Sequence, residues 1–185
     1  TVYYGISIIW PCTVISSLLV LLNKENETMS RDSLTGLNNR SNMERYLNTY
    51  EADLNSAMTI IMLDINDFKH INDHYGHRAG DDALIQTANI LRTTFNGTSA
   101  FLARYGGDEF VVIIPQGKKG TAIRTIRKIK NNIEAFNKTN QFPFQLNISA
   151  GYAISSENTD NIHSLFKEAD ANMYKDKALY HEAKS

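Results

Sequence analysis

The segment Arg104-Tyr-Gly-Gly-Asp-Glu-Phe110 constrains this chain more than any other. Strand-like runs flank it, Ala100 to Arg104 before and Glu109 to Ile114 after. A Gly-Gly step between two such runs predicts a tight hairpin turning at Gly106-Gly107. The glycines also remove side chains where a large group must approach the backbone. Asp108 and Glu109 then sit at the tip of a rigid two-stranded ribbon. Carboxylates on a preorganised turn suit a divalent cation and its phosphate ligand. A solvated acidic loop is the plainer alternative for the same residues.

The chain has 185 residues, room for one ordinary domain and a small addition. A net charge of -1 gives no global sign of nucleic-acid binding. Its lone cysteine, Cys12, excludes an internal disulfide framework and fits a reducing compartment. There is no Cys/His cluster with zinc spacing.

The first residue is Thr1, not Met, which reads as a fragment or a processed product. Val2 to Leu22 carries no charge and is mostly apolar, the length of a membrane-crossing helix of about 20 residues. Tyr3 and Tyr4 lie where an interfacial belt would be, and Pro11 is tolerated mid-span. A buried helix or a signal peptide is the alternative, but neither an early positive charge nor a cleavage site is clear. Residues 1–22 are therefore expected to form a transmembrane helix, 23–30 a juxtamembrane linker, and 31–185 the globular domain. Lys24 and Arg31 place that domain on the cytoplasmic side.

The globular part alternates. Arg40 to Leu54 has helical spacing, Met58 to Leu63 is a buried strand ending at Asp64, and Gly80 to Phe95 is helical. After the hairpin come a helix over Thr121 to Phe136, a strand over Phe144 to Ile154 and a helix over Asn161 to Tyr180. Without its first helix this order is a split βαβ, or ferredoxin-like, arrangement. The expected fold class is α+β, with helices covering one face of a largely antiparallel sheet. The basic run Lys118, Lys119, Arg124, Arg127, Lys128 and Lys130 suits anionic lipid headgroups or, more simply, a solvated helix face.

A second rich segment runs from Asp64 to Asp81. In a ferredoxin-like sheet the first strand neighbours the hairpin, which brings Asp64 beside Asp108 and Glu109. Three converging carboxylates repel one another, and a divalent cation relieves that. The residues after Asp64 read as a turn whose N–H groups face phosphate oxygens, with Lys69 adding charge. Asn72 offers a donor and an acceptor, and Asp81 accepts from guanine N1–H and N2–H, which adenine cannot match. The competing assignments are a turn residue for Asn72 and a helix N-cap for Asp81.

These motifs together resemble the GGDEF family, the diguanylate cyclase domain, over about Arg31 to Lys177. Asp32-Ser-Leu-Thr-Gly-Leu-Asn-Asn-Arg40 is similar to its opening DxLTGLxNR. Asp64 to Asp81 is similar to DxDxFKxxNDxxGHxxGD, Gly106 to Phe110 is the signature, and Ser149-Ala-Gly151 with Ala169 to Lys177 resembles the closing strand and helix. The resemblance implies a ferredoxin-like palm related to nucleotide cyclases and polymerases. It implies condensation of two GTP into cyclic di-GMP, with release of pyrophosphate, across a homodimer whose sites face one another. Asp64, the Ile65 carbonyl, Asp108 and Glu109 would hold two Mg²⁺ (or Mn²⁺) ions, with Asp108 and Glu109 sharing the catalytic role. Gly106 and Gly107 would admit the α-phosphate and ribose. Asn72, His77 and Asp81 would meet guanine, and Phe68, Lys69 and Lys177 the terminal phosphates. The implied setting is a bacterial cell membrane, with the catalytic domain in the cytoplasm under an upstream sensor. Nucleic acid is not an expected partner.

Two positions depart from the pattern. The last helix of the family usually closes in KxxGR, whereas here it reads Lys177-Ala-Leu-Tyr180-His181. Loss of a fixed bidentate cation is expected to weaken triphosphate binding. An inhibitory RxxD motif, where present, precedes the signature; here Gly97 and Ala100 replace its charged pair, so no inhibitory product site is expected. The alternative reading is a non-catalytic GTP-binding or dimerisation module.

Overall fold

Four strands organise the globular unit. In a computed structural model the described residues are 14–17, 30–51, 57–155 and 161–184. The chain divides into two compact units, Thr1–Arg31 and Asp32–Ser185. The expected membrane span lies outside the described residues except for the helical stretch 14–17. Among the described residues no helix is long and apolar enough to cross a membrane.

The second unit runs α1 (Arg40–Glu51), β1 (Met58–Ile65), α2 (Phe68–Tyr75), α3 (His77–Thr94), β2 (Phe101–Gly106), β3 (Glu109–Pro115), α4 (Lys119–Asn137), β4 (Ile148–Ile154) and α5 (Ile162–Lys184). The sheet order is β2-β3-β1-β4, and every neighbouring pair is antiparallel. That is the expected ferredoxin-like arrangement. Arg40 begins its helix as expected, and residues 52–56, where the reading continued, lie outside the described set.

Three expectations need correction. Helices cover both faces of the sheet, not one. Strand β1 alternates, sending Ile61, Leu63 and Ile65 into a core shared with α2, α3 and α4. Met58, Ile60 and Met62 enter a second core with Met43 and Leu47 of α1 and Leu165, Ala169 and Met173 of α5. All eight residues of β1 are buried, which is why its sequence is a continuous apolar run instead of an alternation. Second, the segment after Asp64 is only briefly a turn before α2 begins at Phe68. Asn72 is therefore a helical residue, and Asp81 lies inside α3, not at its N-cap. Third, the last strand starts at Ile148; Phe144 and Leu146 are buried in the first core without joining the sheet.

On α4 the basic run is partly committed to the fold. Lys128 donates to the Thr94 carbonyl at 3.1 Å, and Lys130 pairs with Asp176 at 2.7 Å.

Helix α5 lies so close to β4 that Gly151 has no room for a side chain. A Cβ there would collide with the backbone of Ala169, Asn172 and Met173. Backbone cannot swing aside as a flexible side chain can. Gly151→Ala is therefore expected to cost about 2 kcal/mol or more of stability, measured by urea unfolding, whereas Gly106→Ala, which meets nothing within 4 Å, should cost less.

Candidate active site

The β1–β3 register sets the site. Asp64 stands directly opposite Glu109, and such partners have Cα atoms about 4.5–5.5 Å apart. Because β1 alternates, Asp64 follows Met62 onto the face covered by α5. Lys177 of α5 reaches it there, with Nζ 2.8 Å from Oδ1. The Asp64 side chain is only 8% exposed.

The turn above this pair is held from below. Arg104 donates from Nε and Nη2 to the Gly107 carbonyl, at 3.0 and 2.7 Å. Its Nη1 lies 3.3 and 3.2 Å from the two oxygens of Asp32. Asp32 also accepts from the Thr35 backbone N–H and hydroxyl. Burial pushes the Asp32 carboxyl up, but the Thr35 hydrogen bonds and Arg104 outweigh it and leave it below the usual range. Gly107 takes φ +49°, which glycine adopts without a Cβ penalty. Gly106 faces open space, with nothing within 4 Å of the position a Cβ would take. Arg40 pairs with Glu44 at 2.9 Å and lies 4.7 Å above the Tyr105 ring, an anchoring role for the opening motif.

The carboxylates repel. Burial, then the charge of Asp108, raises the Asp64 carboxyl despite its hydrogen bond from Lys177. Burial, then Asp64, Asp108 and Asp170, raises Glu109. Burial works against the Lys177 charge, yet Asp64, Asp108 and Glu109 hold its pKa above the usual lysine value. These directions agree: the cluster carries more negative charge than one ammonium offsets. Among the described residues no three His, Cys, Asp or Glu side chains gather closely enough to hold a metal ion. The donors therefore suit a hard divalent cation in type and charge, but not as a closed shell of three side chains.

The other predicted residues lie at the end of β1 and on the helices and turns around the sheet, with Gly97 and Ala100 at the end of β2 away from the hairpin. The Ile65 N–H donates to the Asp108 carbonyl at 3.3 Å. Phe68 opens α2 and packs on the first core, while Lys69 beside it is exposed. Asn72 lies flat on Gly80, where any Cβ would strike its amide. That contact holds the amide one residue from Asp81, which is exposed on α3. His77 is the exposed first residue of α3. Gly97 sits in the exposed turn after α3 with φ +74°, and Ala100 is half-buried. His181 lies on α5 with its ring 5.5 Å from that of Tyr180.

Two contributors escaped the sequence. Asp170 shares a cavity of about 440 Å³ with Glu109, Met62 and Phe166. Its seven-residue spacing from Lys177 was the available signal, since two helical turns share a face. Asn66 is 3% exposed; it accepts from the Ser149 hydroxyl at 2.7 Å and donates its N–H to Asn147, fixing the turn after Asp64.

The fold is an antiparallel sheet with helices on both faces, the architecture of GGDEF domains. The family model "Diguanylate cyclase, GGDEF domain" matches residues 29–182, and the chain belongs to that family. It is 36% identical over 153 residues to diguanylate cyclase DgcS of Shewanella oneidensis, covering 80% of this chain and 49% of that protein. A Staphylococcus epidermidis protein described as an uncharacterized membrane protein is 28% identical over 156 residues, covering 81% and 44%. The chain thus spans less than half the length of these relatives. The coiled coil and GGDEF domain of DgcB from Caulobacter crescentus, solved in complex with c-di-GMP, superimposes with a TM-score of 0.83 at 25% identity and 92% coverage of each chain.

Two outcomes follow from this electrostatic arrangement. Removing Arg104 strips the Gly107 carbonyl and Asp32 of one shared partner, so Arg104→Ala should lower stability by about 2 kcal/mol in chemical unfolding. Glu109 holds its proton to higher pH in the folded state than in the unfolded chain. Its contribution to stability is therefore present below about pH 4.3 and lost as pH rises through the raised folded value. Glu109→Gln should raise Tm at pH 7, on the order of 1–2 °C after solvent screening, and change it little in strong acid. Equal shifts at both pH values would contradict this assignment.

Proposed function

We propose that the chain is the catalytic part of a diguanylate cyclase, condensing two GTP molecules into cyclic di-GMP with release of pyrophosphate. The observation that carries this reading is Asp64 opposite Glu109 beneath a double-glycine turn with open space at Gly106. Asn72 and Asp81 read guanine, and His77 lies beside them. Gly106 and Gly107 let the α-phosphate and ribose approach. Lys177, Lys69 and the Phe68 backbone meet the outer phosphates. Asp64, the Ile65 carbonyl, Asp108 and Glu109 are the groups that would hold Mg²⁺ or Mn²⁺. Two such ions, when bound, offset charge at the α-phosphate and favour ionisation of the attacking hydroxyl. Glu109, with its raised proton affinity, is suited to take the 3′-hydroxyl proton.

One domain carries one GTP, so the reaction needs a second domain facing it, and dimer geometry governs rate. Residues 1–22 form the membrane anchor in this reading, with the catalytic unit on the cytoplasmic side. Their uncharged apolar composition and the relative described as a membrane protein support it. Gly97 and Ala100 offer product no charged pair. His181 favours a second reading, in which the domain binds GTP without turning it over.

A fused, enforced dimer given GTP and Mg²⁺ should yield a cyclic dinucleotide detectable by chromatography. Asp108→Ala should reduce the rate by about 10²-fold or more. Binding of GTP with no cyclic product would sink the catalytic reading and leave the binding module.

A further inference from the structure

Helix α5 sends two cations to one turn. Lys177 Nζ lies 2.8 Å from Asp64, and Lys184 Nζ lies 2.5 Å from Asp67 Oδ2. Seven residues separate the lysines, two helical turns, so both occupy one face. Between them the Tyr180 hydroxyl donates to the same Asp67 carboxylate at 3.1 Å. The Lys184 ammonium is 5.8 Å from the centre of the Tyr180 ring. Asp67 is itself unusual: a non-glycine residue at φ 56°, immediately before α2.

The two ion pairs differ in permanence. Asp64 is nearly sealed, at 8% exposure, whereas the Lys184 and Asp67 side chains are 61% and 25% exposed. A solvent-facing pair of this kind contributes little and exchanges readily. A triphosphate arriving at Phe68 and Lys69 would place several negative charges beside Asp67. Lys184 is positioned to move between the two, one helical turn beyond His181.

We propose that Lys184 is a substrate-binding residue that passes from Asp67 to the terminal phosphates of GTP, supplying the fixed positive charge that position 181 lacks. This rests on the GTP reading of the site given above.

The test is calorimetric titration of the 185-residue chain with a non-hydrolysable GTP analogue plus Mg²⁺, and separately with GMP. Lys184→Met is expected to weaken the analogue about tenfold while leaving GMP affinity and Tm unchanged, because GMP lacks the outer phosphates. Adding His181→Arg to that variant should restore most of the loss. The double variant Asp67→Asn, Lys184→Met should stay weak. Full recovery in it would mean that Lys184 only neutralises Asp67, and would overturn the proposal. Unchanged analogue affinity in Lys184→Met, or an equal loss for GMP, would overturn it too. If the unaltered protein binds neither nucleotide, the GTP reading itself fails and this proposal falls with it.

Discussion

A carboxylate at the end of a buried apolar strand needs a counter-charge, and here one ammonium group provides it. The Lys177–Asp64 pair ties α5 to the centre of the sheet at the point where the site begins. Lys177 keeps 30% of its side chain exposed, so removing it costs less than in a fully buried pair, about 1–3 kcal/mol. The contact adds to what the β1–β3 register and the packing of Leu165, Ala169 and Met173 already fix.

The pair does not neutralise its surroundings. Burial and mutual repulsion raise the Asp64 and Glu109 carboxyls from their ordinary values even with Lys177 present. A folded protein tolerates that repulsion only where neighbouring structure enforces it. Enforcement is visible on two sides. The Arg104 guanidinium clamps the Gly107 carbonyl to Asp32, and Asn66 with Ser149 pins the turn that leaves β1. These hydrogen bonds hold the hairpin turn and the turn after β1 in place around the carboxylates.

Much of this was legible in the amino-acid order. The hairpin followed from Gly106-Gly107, the buried strand from the run ending at Leu63, and the pairing of Asp64 with the hairpin from the ferredoxin-like order. Helix α2 was hidden because Phe68 and Ile71 are its only strongly apolar residues apart from Tyr75, while Asn72, Asp73 and Gly76 read as a turn. The second covered face was hidden as well. A strand buried on both sides shows no alternation, so β1 announces burial without saying how many layers cause it. Asp170 was passed over because a carboxylate on an exposed helix face is ordinary until tertiary packing turns it toward Glu109.

Layers of helix on both faces bury the central strands β1 and β3 and leave the turns at their ends accessible. Mutational tolerance should therefore divide cleanly in space. Changes between the layers, at residues such as Phe110, Ile60 or Gly151, register as folding defects with the chemistry intact. Changes at exposed positions outside the layers, such as Lys69, His77 or Asp81, leave the melting behaviour nearly unchanged.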